Sequence, residues 1–171
     1  MEKELKTRDQ IQEEFTWNLK DMYENDSLWE SDLKLIEDKA LELVKYQGKV
    51  CETADDLLKV LELSAFISEK LTYAYSYAAR LFDQDQGNST HQSMYQKVLG
   101  LHAKISTEMS FIDPEILACD TCTLEKYYKS NKELELYRKQ IEEIQRLKEH
   151  TLSADMERVV SLDRKSGSAG M

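Results

Sequence analysis

The stretch FTWNLKDMYENDSLWESDL, residues 15–33, joins an aromatic segment to the start of a helix. Phe15, Trp17 and Leu19 alternate with polar residues at a period of two, the pattern of an extended segment with three large side chains on one face. We therefore expect an extended N-terminal arm. An arm of this composition needs a surface on which to dock.

The residues that follow the arm predict a first amphipathic helix. Ser27 and Glu30 have the S-x-x-E spacing of a capping box, so this helix should begin at about Leu28 and continue to about Tyr46. Gly48 is the expected left-handed residue beyond its end. The apolar stripe has helical spacing and consists of Trp29, Leu33, Ile36, Ala40 and Leu43.

Two longer helices are predicted next. Thr53 should cap one that runs to about Asp83, and the other should span about Ser89 to Phe111. Tyr73 and Tyr77 are expected to stack on a neighbouring helix. The predicted buried positions are Leu57, Leu61, Ser64, Leu71, Ala74, Ala78 and Leu81, then Met94 or Tyr95, Val98, Leu101, Ile105 and Met109.

The remaining sequence predicts shorter helices. Pro114 should open a helical turn at Glu115 to Ala118, and Thr123 should cap a brief helix. A further helix is expected to end at about Lys148, with Leu134, Tyr137, Ile141, Ile144 and Leu147 on its apolar face. The first turns of a last helix are expected at Ser153 to Val160.

Composition favours an all-α fold. The 171 residues include five glycines and one proline, too few turn residues for a protein made of many strands. We predict an antiparallel bundle of about five to six helices with the extended arm at its start. The predicted organisation is an N-terminal tail at 1–14, one helical domain at 15–160, and a disordered Gly/Ser-rich tail at 161–171.

Charge and cysteine usage limit the possible partners and the possible cellular compartment. The formal net charge is −10, so nucleic acid and anionic membranes would be repelled. No apolar run approaches the length of about 20 residues that a membrane helix needs, and the first residues do not resemble a signal peptide. Three cysteines form an odd count, which favours reduced thiols and a cytoplasmic protein.

Possible metal ligands are sparse in this sequence. Cys119 and Cys122 have C-x-x-C spacing, but a zinc site needs two further ligands and a redox site needs a preceding strand. His91, His102 and His150 are interpreted as ordinary side chains, since ligands normally occur in clusters of three or four. We expect no metal-binding, cofactor-binding or catalytic residue in this chain.

Several segments together resemble the N-terminal region of oligoendopeptidase F, a family related to thimet oligopeptidase. These are the aromatic-Thr-Trp-Asn-Leu segment, the Trp-bearing helix, Tyr46-Gln47-Gly48-Lys49-Val50, the tyrosine-rich helix that ends at Asp83, Ser110 to Leu117, and His150-Thr151-Leu152-Ser153. The resemblance covers roughly residues 8–158. It implies a helical N-terminal domain of zinc metalloendopeptidases that act on oligopeptides, a domain that would help to wall the peptide channel.

The catalytic motif of the resembling family is missing. Such enzymes use HExxH, in which two histidines one helical turn apart bind zinc and a glutamate deprotonates its water. None of the three histidines here is followed by glutamate. We therefore expect a fragment without peptidase activity, truncated before the catalytic domain, with zinc only in that domain. A truncated gene, a frameshift and an engineered end remain alternatives.

The expected partners follow from this reading. They are the missing catalytic domain or another copy of the chain, with oligopeptides bound only in a full-length context. An alternative interpretation is a stand-alone acidic helical module for protein interaction, because helix faces without a continuation favour association.

Glu149 departs from the family pattern, which tends to have proline before the histidine.

Overall fold

Helices make up the computed structural model, which describes residues 10–147. Over these residues there are α-helices, 3-10 turns and no strand, so the all-α prediction is confirmed. Two compact units divide the chain, at 1–112 and 113–171. His150, the predicted last helix at 153–160 and the tail at 161–171 lie outside the described residues, as does most of the tail predicted at 1–14. The predicted domain limits stay predictions.

The first unit is built on three long helices. They are α1 (Asp26–Val44), α2 (Ala54–Gln84) and α3 (Ser89–Met109). Helix α1 runs antiparallel to α2, because early residues of α1 contact late residues of α2. The buried Trp29 donates its indole N–H to the Ala74 carbonyl oxygen at 2.9 Å. About one turn along each helix from this contact, the Lys70 ammonium lies 2.9 Å from an Asp32 carboxylate oxygen.

Helix α3 runs parallel to α1. Lys97 pairs with Glu30 at 3.1 Å, and Lys104 pairs with Glu37 at 2.9 Å, so both partners advance by seven residues together. Seven residues are about two helical turns, which keeps both pairs on one face. Successive helices therefore alternate in direction, as predicted for an antiparallel bundle.

The predicted apolar stripes form the core of the first unit. All five positions of the α1 stripe are buried, as are the predicted positions of α2 except Leu81, which is half-buried. In α3 the buried member of the Met94 and Tyr95 alternative is Met94, and Met109 is half-buried. Helical spacing was a reliable guide because each helix has neighbours on one side. Further buried residues include Val50, Leu58, Val60, Leu63 and Ile67.

Helix ends were predicted less well. The side chain of Asn25 caps α1 by accepting from the Leu28 amide at 3.1 Å, so the prediction of Ser27 as the cap was wrong. Ser27 lies inside the first turn, and Glu30 pairs with Lys97 instead of completing a capping box. Thr53 does cap α2, as predicted. Gly48 has φ +81°, which confirms its left-handed conformation in the turns after α1.

The second unit contains short helices. Helix α4 (Ile112–Ala118) opens at the unit boundary and contains Pro114 in its first turn. Helix α5 (Thr121–Ser130) is capped by Asp120, which accepts from the Cys122 amide, so Thr123 is not the cap. The single helix predicted to end at about Lys148 is instead a 3-10 helix (Lys132–Tyr137) followed by α6 (Arg138–Arg146). Between residues 113 and 147, the buried residues of this unit are Ile116, Cys119, Leu124, Tyr128, Leu134, Ile141 and Ile144.

Arg138 holds the second unit together by several contacts. Its guanidinium lies 3.9 Å from the centroid of the Tyr128 ring, and its nitrogens reach Glu135 at 2.7 Å and Glu125 at 3.1 Å. A planar guanidinium suits both ring stacking and paired carboxylate contacts. The side-chain amide of Gln145 also donates to the carbonyl oxygens of Ile116 and Cys119, which joins α6 to the end of α4.

Candidate functional site

The segment that precedes α1 contains two 3-10 turns, at Glu13–Phe15 and Leu19–Asp21. Asn18 determines the second turn, because its side-chain oxygen accepts from the Lys20 amide at 3.3 Å and its amide donates to Asp21 at 2.8 Å. Local hydrogen bonds from asparagine side chains favour turns. The predicted extended arm is therefore wrong in its backbone, although the segment does stand outside the long helices.

Tyr23 anchors this segment on α2. Its ring is buried, with ring centroids 5.3 Å from Tyr73 and 5.0 Å from Tyr77. The Tyr23 hydroxyl donates to an Asp32 carboxylate oxygen at 2.9 Å. Burial first, and then this hydrogen bond to Asp32, raises the pKa of Tyr23 well above its usual range. The two tyrosines of α2 thus make tilted and edge-on ring contacts with the preceding segment and do not stack on a neighbouring helix as predicted.

Two further hydrogen bonds from α2 hold the chain in place where this segment meets α1. The Tyr73 hydroxyl donates to the Met22 carbonyl oxygen at 3.2 Å, and the Tyr77 hydroxyl donates to Asp26 at 3.0 Å. Burial, followed by donation to Asp26, raises the pKa of Tyr77 to about 12. Tyr77 is therefore neutral and remains a donor at physiological pH.

Phe15 and Trp17 project from the anchored segment into solvent. Each side chain is 74 % exposed. The prediction that these residues dock on the fold is wrong for the part of the chain that the structure describes, because the 3-10 turns do not place them on one common inward face. Large exposed aromatic groups on a fixed segment are typical of interaction surfaces.

Two clefts adjoin Trp17. The larger has a volume of about 620 Å³ and the smaller about 290 Å³, and Trp17 lines both. Their floors include the last turns of α2, with Tyr77 and Leu81 in the larger cleft and Arg80 in the smaller one. We call Phe15, Trp17 and these two clefts the Trp17 surface. Its charged lining residues have both signs and are Lys20, Glu24, Asp26, Arg80 and Asp83.

The histidines and cysteines do not converge. His91 is half-buried in the first turn of α3, and His102 is exposed. Cys119 is buried, whereas Cys122 is exposed at the start of α5. Among residues 10–147, no three His, Cys, Asp or Glu side chains are placed to hold a metal ion. The prediction of no catalytic or metal-binding residue stays a prediction for the whole chain.

A membrane-spanning segment is also absent from the described part. None of the helices between residues 10 and 147 combines the length and apolar composition needed to cross a bilayer.

Sequence reasoning missed the Trp17 surface for an identifiable reason. A period of two in five residues does not distinguish a strand from a pair of tight turns. The Asn18-x-x-Asp21 spacing was a usable signal for a turn, since asparagine caps such turns and aspartate can accept from its amide. The exposure of Phe15 and Trp17 had no comparable local signal, because it depends on where α2 ends.

Comparison with known proteins identifies a family resemblance along most of the chain. The profile of a family described as Oligopeptidase F matches residues 115–170. Oligopeptidase PepF of Bacillus subtilis (strain 168) is 31 % identical over 158 residues, a match that covers 92 % of this chain and 24 % of that protein. The chromosomal oligoendopeptidase F of Lactococcus lactis subsp. cremoris is 30 % identical over 152 residues, covering 87 % and 25 % respectively.

Solved structures share the fold. The crystal structure of oligoendopeptidase-F from Enterococcus faecium superposes with a TM-score of 0.67 at 27 % identity, covering 80 % of this chain and 27 % of that one. A protein of Chlamydophila abortus gives a TM-score of 0.79 at 23 % identity and shows the fold alone. The chain spans about a quarter of the length of the curated relatives it matches, and the matched quarter is their N-terminal portion.

Proposed function

We propose that this chain, which corresponds to the N-terminal quarter of oligoendopeptidase F, is a non-catalytic helical region of a peptidase of that family. The observation that carries the proposal is the extent of the match with the Bacillus subtilis protein. It includes 92 % of this chain but 24 % of the relative, so nearly the whole chain has a counterpart in a limited part of a peptidase.

The residues present do not fit the zinc that the family resemblance implies. The sequence has three histidines, and the residues that follow them are Gln92, Ala103 and Thr151 in place of the glutamate of HExxH. Within the described residues no cluster of ligands compensates for this. In our proposal, zinc and the hydrolytic residues belong to the part of the relatives that this chain does not match.

The proposed contribution of the region is to shape access to a peptidase. A rigid helical unit beside a catalytic domain can narrow the channel and admit short peptides while excluding folded proteins. This role concerns a full-length context, and oligopeptides are proposed as substrates only there.

A cleavage assay tests the absence of catalysis. The purified 171-residue chain is incubated with zinc and an internally quenched oligopeptide, with Bacillus subtilis PepF as the positive control. We expect no hydrolysis above the zinc-only blank for this chain. Cleavage that appears with the chain and disappears on addition of a chelator would contradict the proposal.

We also propose the cytoplasm as the compartment. The three cysteines form no disulfide in this structure, which suits a reducing environment, and the net charge of −10 disfavours binding to nucleic acid or anionic lipid. Cell fractionation tests this, since recovery of the native chain in the membrane or secreted fraction would contradict it.

A further inference from the structure

We propose that the Trp17 surface is the face on which the remaining part of an oligoendopeptidase F-type peptidase packs. The inference rests on the proposed function and names the partner that this region binds. It starts from the placement of two aromatic side chains that the fold of the described residues does not bury.

The Trp17 surface is built on a fixed support. Its segment is tied to α2 by the buried ring of Tyr23 and by the Tyr73 hydroxyl, which donates to the Met22 carbonyl oxygen, and to α1 by the Tyr23 hydroxyl, which donates to Asp32. Asn18 and Asp21 form a hydrogen bond within the segment itself. Phe15 and Trp17 are thus exposed on an anchored part of the chain, so little conformational freedom would be lost when a partner covers them.

The shape of this surface suits a protein partner. Trp17 lines both a cleft of about 620 Å³ and one of about 290 Å³, which gives an exposed aromatic group next to two depressions. Aromatic side chains next to pockets are the residues that contribute most to binding energy in protein interfaces. A partner that projects apolar side chains into the clefts would bury Trp17 between them.

The charge of the surface argues against other classes of partner. The two basic residues, Lys20 and Arg80, are outnumbered by the acidic residues Glu24, Asp26 and Asp83, and the chain as a whole carries a net charge of −10. A polyanion or an anionic membrane requires an excess of basic groups. The lining of both signs, without a basic excess, and the exposed aromatics favour a partly apolar protein face.

The relatives indicate which protein face this is. A match over 158 of the 171 residues leaves 13 outside it, so it contains both Phe15 and Trp17 wherever it begins. In the Bacillus subtilis relative, the matched region is joined to other sequence that makes up about three quarters of the protein. Because that sequence belongs to the same chain as the matched region, its binding to the Trp17 surface would be intramolecular, which makes it the favoured occupant.

A chimeric enzyme tests the proposal. In the chimera, the full 171-residue chain replaces the matched region of Bacillus subtilis PepF. The quenching of Trp17 fluorescence by acrylamide is obtained as the difference between the chimera and its Trp17→Phe variant. The same difference is measured in the isolated chain. We expect Trp17 to be quenched in the isolated chain and shielded in the chimera. Equal quenching in both would overturn the proposal.

A matched substitution pair gives a second reading. We expect Phe15→Ser with Trp17→Ser to lower oligopeptide cleavage by the chimera about tenfold or more, because two interface aromatics are lost. Leu136→Ser is the control, since Leu136 is 84 % exposed in the second unit. Neither change should shift the melting temperature of the isolated chain. A double variant that cleaves as fast as the parent chimera would count against docking.

Failure of the proposed function is distinguishable from failure of the docking inference. Chelator-sensitive cleavage by the isolated chain contradicts the proposed function, whatever the state of Trp17. An active chimera with an open Trp17 contradicts the docking inference alone. Sedimentation of the isolated chain tests whether a second copy of the chain occupies the Trp17 surface. A dimer in which Trp17 is shielded would assign the surface to the second copy and overturn the proposal.

Discussion

The two tryptophans of this chain occupy opposite environments. Trp29 is 1 % exposed and donates to the Ala74 carbonyl oxygen, with the Lys97 ammonium 5.7 Å from its ring centroid, whereas Trp17 is 74 % exposed. We expect Trp29→Phe to lower the free energy of unfolding by roughly 2 kcal/mol through lost volume and a lost donor. Trp17→Phe is the matched control and should stay within about 0.5 kcal/mol. Urea unfolding measures both, and equal effects would contradict the assigned environments.

Tyr77 makes stability depend on alkaline pH. Its pKa is raised to about 12 in the folded chain, mainly by burial and then by donation to Asp26, while an unfolded tyrosine titrates near 10. The unfolded chain therefore loses this proton first as the pH rises. The contribution of Tyr77 is complete below about pH 10 and decreases between about pH 10 and 12.

Tyr77→Phe tests this pH dependence. We expect the free energy of unfolding of the variant to fall less steeply between about pH 10 and 12 than that of the parent chain. Below about pH 9 the two curves should run parallel, which controls for the lost hydrogen bond to Asp26. Identical slopes in the alkaline window would exclude the proposed linkage.

At the scale of single elements, the start of α1 shows a capping-box motif in the sequence that does not form a capping box in the structure. Asn25 caps the helix, and Ser27 of the S-x-x-E motif is exposed inside the first turn. We expect Asn25→Ala to destabilise the chain by about 1 kcal/mol, because the Leu28 amide loses its acceptor. Ser27→Ala should have a smaller effect, since alanine favours the helix interior. Thermal unfolding measures the destabilisation of both variants. A larger loss of stability for Ser27→Ala than for Asn25→Ala would indicate that Ser27 is the cap.

Two glycines allow a similar comparison of a turn and a helix. Gly48 has φ +81° and Gly100 is exposed within α3, and no described heavy atom lies within 4 Å of a Cβ added at either position. Gly48→Ala should destabilise by about 1 kcal/mol because of the left-handed backbone. Gly100→Ala should stabilise by up to about 1 kcal/mol. Chemical denaturation measures the change in the free energy of unfolding for each variant. Changes of equal sign would contradict the conclusion that backbone conformation determines the effect of alanine at these two positions.

The elements also show which inferences a sequence permits. The stripe of α1 was predictable in every position, because burial on one face imposes a period that only a helix satisfies. The break between the 3-10 helix and α6 was not predictable from apolar spacing, since Leu134, Ile141 and Ile144 keep a helical period across it. Asn131 starts the 3-10 helix by accepting from the Glu133 amide, a local contact that competes with periodicity.

At the scale of the whole molecule, net charge and the Trp17 surface act together on solubility. The charge of −10 keeps molecules apart at pH 7, and this repulsion vanishes near the sequence pI of about 4.9. We expect light scattering to rise near that pH, with a smaller rise for the Phe15→Ser, Trp17→Ser chain because fewer apolar groups are exposed. Leu136→Ser is the control. An equal rise for the double variant would locate self-association elsewhere.

The candidate site illustrates what sequence reasoning could not reach. The absence of HExxH is readable directly, because a motif is defined by neighbours along the chain. The Trp17 surface joins residues near position 17 to the end of α2 more than sixty positions later, and the larger cleft between them depends on the angle at which the segment meets α2. Alternation of residues contains no information on that angle.

The alternating directions of the three long helices have one more consequence. The start of α1 and the end of α2 lie together with the clefts, and the chain then follows α3 away from that end. Twenty-one residues of helix measure roughly 30 Å. Met109, where the chain leaves α3, and the exposed Trp17 therefore lie toward opposite ends of the first unit, so the residues after Met109 begin roughly one helix length away from the Trp17 surface.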